Sequence, residues 1–113
     1  MSRDDAHLLD VLEAARRGLV FVEGMSEAAF LNDIKTQSAV LHQLTVLGEA
    51  TRRVSQEFRD AHPEVPWRVM AGLRSRIVHD YDEVDLDAVW AVLEKDLPKL
   101  IPQLEAIAKT EPE

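Results

Sequence analysis

Residues 40–58 read VLHQLTVLGEATRRVSQEF and decide the fold class of this chain. Their apolar face, which recurs at steps of four and three residues, consists of Val40, Leu44, Leu47, Thr51, Val54 and Phe58. This spacing is typical of an α-helix, and no proline interrupts the chain from Asp33 to Asp60. We predict one helix there, about 28 residues and on the order of 42 Å long. Gly48 lies in its middle, where glycine costs about 1 kcal/mol relative to alanine, so we expect another helix backbone to approach it closely.

Helical spacing continues on the N-terminal side of this stretch. A helix is predicted from Ser2 or Asp4 to about Gly24, because a capping residue precedes a run of apolar residues at steps of three and four. Ser26 is a second capping residue, and the apolar residues after it predict one short helical turn.

The C-terminal side is also helical in its pattern. One helix is predicted from about Pro66 to Val78, and another begins at Leu86 and is bent or interrupted at Pro98 and Pro102. No segment alternates with period two for long enough to predict a strand. The sequence therefore predicts an all-α fold, an up-and-down bundle of four main helices plus a short extra helix.

Length and composition limit the possible functions. A chain of 113 residues with 46% hydrophobic residues predicts a single domain, with a core over about 5–105 and a frayed tail over 109–113. There is no cysteine, which excludes disulfides, thiolate nucleophiles and cysteine-based zinc sites. No apolar run is long enough to span a membrane, and no signal peptide is visible. We expect a cytoplasmic protein that does not bind membranes.

The charge is unevenly distributed. Net charge is −8, which opposes general binding of nucleic acid. Residues 65–79 nevertheless contain Arg68, Arg74 and Arg76 and no acidic residue, whereas 80–96 contain seven acidic residues and one lysine. One interpretation is that these arginines simply pair with the acidic residues or face water, at about 0–1 kcal/mol each.

A second interpretation concerns Arg74 and His79. Histidine transfers protons near neutral pH, and arginine matches phosphate oxygens with a permanent charge. The pair therefore suits cleavage of RNA, rather than DNA, because RNA carries its own 2′-hydroxyl nucleophile. Positions five apart on a regular helix point about 140° away from each other. Either the helix ends between the two residues, or a symmetric dimer combines them from two copies.

The segment from Arg74 to Tyr81 reads RSRIVHDY, an Arg-x4-His-x-Tyr pattern that resembles HEPN-domain ribonucleases, in particular the HepT toxins of type VII HepT–MntA toxin–antitoxin systems. Flanking features over about residues 5–105 resemble the same family, namely Leu47-Gly48-Glu49-Ala50, Val65-Pro66-Trp67, the stretch from Val84-Asp85 to Trp90, and Leu97-Pro98.

The resemblance implies a homodimer that forms through the motif helices of its two copies. It also implies that the protein cuts RNA, either tRNA or mRNA, without a metal or cofactor. It also implies that Arg74 and His79 are catalytic and that a MntA-like nucleotidyltransferase antitoxin inactivates the protein by AMPylating Tyr81. An attached nucleotide would add bulk and negative charge beside the cleft.

Three more residues are candidates for binding or orienting substrate: Ser75, Arg76 and Glu49. The family usually has asparagine directly after the arginine, where this chain has the shorter Ser75. For Glu49 three interpretations stay open: it lines the cleft, it orients an arginine such as Arg74, or it is simply a solvated side chain. Two other functions stay open: a non-catalytic helical module that binds a nucleotidyltransferase and presents substrate or nucleotide to it, and a structural dimerisation bundle.

Other side chains have simpler interpretations. Asp80, Asp82 and Asp85 do not match a calcium-binding EF-hand loop, because Val84 and Asp85 occupy its fifth and sixth positions. His62 is expected at a helix terminus. His7 and His42 are expected to be surface or packing residues, and Trp67 and Trp90 to be core anchors.

Overall fold

A computed structural model describes residues 2–80 and 83–110, with the backbone alone described at residues 79, 80, 109 and 110. The helices are α1 (Arg3–Phe21), α2 (Glu27–Leu31), α3 (Ile34–Arg53), α4 (Gln56–Ala61), α5 (Trp67–Ala71), α6 (Leu73–Ile77), α7 (Leu86–Ala91) and α8 (Leu97–Thr110). A π-helical turn, Val92–Asp96, joins α7 to α8, and two short strands, β1 (Val78–Asp80) and β2 (Glu83–Val84), pair in antiparallel.

Four helical columns form the predicted bundle. They are α1, α3, the α5–α6 pair, and the column from α7 to α8. The first residues of α1 lie beside the end of α3, since the Asp4 carboxylate accepts a hydrogen bond from Ser55 N–H at 2.8 Å. The two helices are therefore antiparallel. The α5–α6 pair packs on α3, and α8 packs on α1. The predicted all-α bundle with a short extra helix, α2, is confirmed.

The core runs along the centre of these columns. Its largest fully buried side chains include Phe30, Leu12, Leu44, Leu47, Leu93 and Leu97. Burial of such a side chain contributes about 1.5–3 kcal/mol. Trp67 is buried, and half-buried Trp90 stacks at a tilt on Phe30 with ring centroids 5.4 Å apart, so both tryptophans anchor the core as predicted. Among the described residues, no helix is both long enough and apolar enough to cross a membrane.

The predicted unbroken helix over 33–60 is wrong in its last part. α3 ends at Arg53, Val54 is extended, and Ser55 caps a separate helix, α4, by accepting from Phe58 N–H at 3.1 Å. The Ser55 hydroxyl also donates to Asp4 at 2.7 Å. These bonds offer the backbone an alternative to a continuing helix, and the partner of Ser55 is too distant in sequence for a local pattern to reveal.

The predicted helix from Pro66 to Val78 is also divided. Pro66 is the residue before α5, Gly72 separates α5 from α6, and α6 ends at Ile77. Val78 then enters β1 and pairs with Val84 of β2, so the expectation that the chain contains no strand is wrong for these few residues. Strands this short carry no alternating pattern that a sequence can show.

The C-terminal column is continuous despite its two prolines. Before Pro98 the chain widens into the π-helical turn, and Leu97 N–H donates to Val92 O, five residues back. A proline cannot donate a backbone hydrogen bond and crowds the preceding turn, and a π-helical turn is one way for a helix to absorb that defect. α8 then continues through Pro102 to Thr110. It therefore includes the first two residues of the predicted frayed tail, and residues 111–113 lie outside the described part of the chain.

The close approach expected at Gly48 is confirmed. A β-carbon built there would lie 3.5 Å from the Met70 carbonyl oxygen and 3.8 Å from that of Ala71. Those distances are ordinary van der Waals contacts, so the site accommodates a methyl group but nothing larger without movement of α5. The backbone of α5 is thus held directly on the middle of α3.

Candidate functional site

The helix that carries the motif presents its polar residues to solvent. Leu73 and Ile77, one turn apart in α6, are both buried, whereas Arg74, Ser75 and Arg76 between them are exposed. At 100° per residue, Arg74 and Arg76 emerge on opposite sides of the buried stripe and Ser75 points away from it. The sequence from Leu73 to Ile77 therefore anchors α6 by two side chains and exposes the three between them.

The helix ends between the two residues of the predicted catalytic pair. Val78 has φ −113° and ψ 110°, an extended conformation, and His79 lies in the middle of β1. The ending of the helix that the sequence required for Arg74 and His79 to act together is thus present. The side chain of His79 lies outside the described atoms, as does the whole of Tyr81, so their predicted roles stay predictions.

Asp85 fixes the end of α6 and the start of α7. Its backbone N–H donates to the Ile77 carbonyl at 2.8 Å, and its carboxylate accepts from Ala88 N–H at 3.0 Å. The first bond satisfies a carbonyl that the ending helix leaves without an intrahelical partner, and the second caps the next helix. The segment containing His79 is therefore closed by the hydrogen bond between Ile77, where α6 ends, and Asp85, where α7 is capped.

The arginines of the motif region differ in their partners. Arg76 pairs with Asp96 at 3.0 Å, with both side chains more than 40% exposed, so this contact stabilises the fold by about 0–1 kcal/mol at most. This is the pairing with acidic residues that the sequence allowed. Among the side chains that the structure describes, the ion pairs include neither Arg68 nor Arg74.

Glu49 does not pair with Arg74 in this structure. Its carboxylate lies 3.2 Å from the Arg52 guanidinium, one turn further along α3, and both side chains are exposed. The expected contact between Glu49 and Arg74 is thus replaced by a contact within α3. An orienting role for Glu49 stays a prediction.

The remaining histidines behave as expected. His62 ends α4 and packs on Phe58 with ring centroids 4.7 Å apart. His42 is exposed on α3 and His7 is half-buried on α1. In the part of the chain that the structure describes, no three His, Cys, Asp or Glu side chains are grouped in a way that could hold a metal ion.

Two cavities flank the α5–α6 column. One, of about 320 Å³, lies between this column and the start of α8, and its lining includes Met70, Leu73, Arg76, Asp96 and Leu97. The other, of about 510 Å³, lies between α4 and α5 and is lined by Gln56, Arg59, Asp60, Trp67 and Arg68 among others.

Sequence patterns did not point to the second cavity, because they placed Arg59 on a straight extension of α3. The turn at Ser55 brings Arg59 back so that its Nε and Nη2 donate to Val54 O at 3.2 Å and Thr51 O at 2.7 Å. The pattern Ser-x-x-Phe at 55–58 was the available local signal, since serine is a preferred N-cap.

Comparison with known proteins identifies relatives along nearly the whole chain. A family model described as ribonuclease HepT-like matches residues 11–107. A candidate RNase of Methanocaldococcus jannaschii is 34% identical over 109 residues, covering 95% of this chain and 100% of that protein. A ribonuclease HepT candidate of Thermococcus cleftensis is 35% identical over 106 residues, covering 94% of this chain and 91% of that protein. No solved structure matches the chain.

Proposed function

The chain belongs to the HepT-like ribonuclease family, and from this we propose that it is the toxin of a type VII toxin–antitoxin system, an endoribonuclease that cuts tRNA or mRNA with Arg74 and His79. One observation carries the proposal: α6 exposes Arg74 and ends at Ile77, two residues before His79. The relatives named as RNases support ribonuclease activity in general.

The proposed chemistry needs no metal. The 2′-oxygen of one ribose attacks the adjacent phosphorus, the bond from phosphorus to the 5′-oxygen breaks, and a cyclic phosphate remains. The 2′-hydroxyl loses a proton and the 5′-oxygen gains one, so no water is consumed. His79 suits either proton transfer, and the guanidinium of Arg74 suits the charge that builds on the phosphoryl oxygens. Ser75 and Arg76 directly follow Arg74 in α6 and are proposed to position the substrate.

We propose that two copies pair through their motif helices. Val69 of α5 is 52% exposed, and the cavity beside it has apolar walls formed in part by Met70, Leu73 and Leu97. An exposed apolar side chain next to an apolar depression supports an interface on this column. A twofold axis there would bring the Arg74 and His79 of both copies to one cleft.

Control by a MntA-like nucleotidyltransferase is the third part of the proposal. Tyr81 is the single tyrosine of the chain and follows His79 by two residues. Transfer of AMP from ATP to its hydroxyl, with release of pyrophosphate, would add a bulky anion beside the site and exclude an RNA phosphate. We place the activity in the cytoplasm, where RNA and ATP are both present.

The deciding experiment incubates purified protein with RNA in the presence of EDTA. We expect cut products from wild type and none from Arg74→Ala or His79→Ala, because each change removes about 10² or more in rate. The matched control is Arg17→Ala, on the exposed side of α1, which should cut as wild type does. Intact RNA with wild type would favour the non-catalytic module, and cleavage only with added metal would contradict the proposed chemistry.

A second measurement tests the control by modification. Mass spectrometry after incubation with a MntA-like nucleotidyltransferase and ATP should find AMP on Tyr81, and Tyr81→Phe should stay toxic in the presence of that partner. Neutralisation of the Tyr81→Phe variant would contradict the modification and indicate inhibition by binding alone.

A further inference from the structure

The cavity between α4 and α5 lies outside the motif but beside it. Its volume is about 510 Å³, and small-molecule pockets start at about 300 Å³. Its charged lining consists of the Arg59 and Arg68 guanidinium groups and the Asp60 carboxylate. An acidic protein of net charge −8 thus has an excess of positive charge at this point.

Arg59 is fixed in place before any ligand arrives. Two of its N–H groups donate to the Val54 and Thr51 carbonyls at the end of α3, and the side chain is partly buried. A guanidinium has five N–H donors, so three are left for another acceptor. Because the side chain is already ordered, binding through these donors costs little conformational entropy.

Arg68 faces the cavity from α5. It is exposed, and its guanidinium takes part in none of the ion pairs that the described residues form. Arg59 and Arg68 therefore provide one pre-ordered and one adjustable cation on the two walls of the same cavity. Paired cations of this kind match the oxygens of a phosphodiester.

The helix that forms one wall of the cavity, α5, continues into the motif helix, α6. Gly72 N–H donates to Arg68 O at 3.1 Å and Gly72 O accepts from Arg76 N–H at 3.2 Å, so hydrogen bonds of helical spacing cross the turn between α5 and α6. Ala71 of the cavity wall therefore lies on the same side of the column as Arg74, about 4.5 Å away along its axis. A strand with one phosphate at Arg74 would place a neighbouring nucleotide at the cavity.

The α4 wall of the cavity also contains hydrogen-bond acceptors. The Gln56 side-chain amide donates to Asp60 Oδ1 at 2.8 Å, which leaves Asp60 Oδ2 and the Gln56 carbonyl oxygen free of that bond. A carboxylate repels phosphate, so positive charge alone does not explain this cavity. A ribose 2′-hydroxyl is a donor that DNA lacks, and Asp60 is placed to accept from it.

We propose that this cavity is a substrate subsite that binds one ribonucleotide of a single-stranded RNA next to the cleavage position. Arg59 and Arg68 hold its phosphate, and Asp60, oriented by Gln56, accepts from its 2′-hydroxyl. The inference rests on the proposed function for the position of the cleaved bond. The binding of RNA by the cavity is nevertheless measured separately from cleavage.

Arg68→Ala tests the phosphate contact. Affinity for a short fluorescein-labelled single-stranded RNA is measured by anisotropy from about 50 to 200 mM salt, in a His79→Ala background that leaves the RNA intact. We expect about threefold to tenfold weaker binding and a slope of log affinity against log salt reduced by about 0.7. Lys35→Ala removes one exposed cation at the far end of α3 and should change neither quantity. Equal effects of the two variants, or no effect of Arg68→Ala, would overturn the proposal.

Asp60→Ala tests the hydroxyl contact. Affinity is compared for RNA and DNA of the same sequence, and we expect the preference for RNA to fall about fivefold to tenfold. Asp10→Ala, an exposed carboxylate on α1, is the matched control and should preserve the preference. If Asp60→Ala raises the affinity for DNA and for RNA by the same factor, the preference for RNA is unchanged. Asp60 would then act only as a repulsive charge, which would contradict the subsite.

Failure of the subsite and failure of the proposed function give different results. If wild type cuts RNA and Arg68→Ala cuts with unchanged KM, the subsite is wrong and the nuclease is right. If wild type cuts no RNA but the two variants shift binding as expected, the cavity binds RNA and the catalytic assignment is wrong. Loss of binding to a nucleotidyltransferase in Arg68→Ala, with RNA binding unchanged, would assign the surface to a protein partner and overturn the inference.

Discussion

The α1–α3 pair and the segment from Trp67 to Asp80 are built in opposite ways. α1 and α3 are unbroken helices of 19 and 20 residues, and they share the most extensive interface in the described bundle. The Trp67–Asp80 segment is divided into two helices of five residues each and a strand of three. Helices that short are not stable by themselves, so packing on α3 holds α5 and α6 in shape. We therefore expect the α1–α3 pair to set the stability of the fold, whereas the Trp67–Asp80 segment is the part proposed to do chemistry.

The largest expected effect comes from the scaffold. Leu47→Ala in α3 removes a side chain that is fully buried, and we expect the free energy of unfolding to fall by about 2–5 kcal/mol through lost burial and a cavity. The matched control is Leu9→Ala in α1, because Leu9 is 41% exposed. We expect this change to alter the free energy of unfolding by less than about 1 kcal/mol. Urea titration followed by circular dichroism measures both. Equal losses would show that burial of side chains between α1 and α3 is not what stabilises this pair.

The next effect tests the junction at which the long helix breaks. Ser55→Ala removes the α4 cap and the hydroxyl bond to Asp4, so we expect a loss of about 1–2 kcal/mol. Ser38→Ala, at an exposed position within α3, should stay within about 0.5 kcal/mol of wild type. Thermal unfolding distinguishes them, and a neutral Ser55→Ala would mean that the break between α3 and α4 has another cause.

Substitution of one glycine in each region, Gly48 in α3 and Gly72 between α5 and α6, compares how each region tolerates an added methyl group. Gly48→Ala in α3 should raise the free energy of unfolding by up to about 1 kcal/mol, because the added methyl makes ordinary contacts with α5 and alanine favours helix. A β-carbon at Gly72 would lie 3.3 Å from the Arg68 carbonyl oxygen, which is tighter, so Gly72→Ala should gain less or lose stability. Denaturant melts of both variants decide, and a larger gain at Gly72 would contradict the geometry of the turn.

The smallest effect is a dependence on pH at the start of α3. Bonds from the Thr36 N–H at 3.0 Å and its hydroxyl at 2.8 Å lower the pKa of Asp33 below the usual 3.8. Stability from the ionised carboxylate is therefore complete above pH 3.8 and is lost as the pH falls through the lowered value. Wild type should melt slightly above Asp33→Asn at pH 7, and the difference should vanish in acid. Thr36→Val should reduce it, and a difference that grows in acid would contradict the sign.

The parts of the fold that sequence predicted are those fixed by local signals. Ser2 and Ser26 cap helices through residues three positions away, and the spacing of apolar residues extends along α1 and α3. The break at Ser55 depends on Asp4, which is 51 residues away. The π-helical turn before Pro98 reconciles a proline with a continuous column, where the sequence indicated only a bend. A contact distant in the chain is involved in the break at Ser55, whereas the π-helical turn is a local adjustment that the spacing of residues does not distinguish from a bend.

The candidate site divides in the same way. The exposure of Arg74 and the end of α6 before His79 follow from Leu73 and Ile77 and from the change in composition after His79. The cavity that Arg59 lines does not follow from the sequence pattern. It forms only because the chain turns at Ser55 and brings α4 close to α5. A pattern of residues shows which side chains one helix presents, but a cavity needs two elements whose relative placement is tertiary.

The hydrogen bonds of the Asp85 backbone and side chain bear on how sequences of this family can evolve. The Ile77 carbonyl at the end of α6 accepts from the backbone N–H of Asp85, and the Asp85 side chain caps α7. The two ends of the segment between Ile77 and Asp85 are therefore fixed. Each doubling of the length of such a closed loop costs only about 0.6 kcal/mol of loop-closure entropy. The residues between these two anchors can therefore change in number and kind without straining the helices that support them.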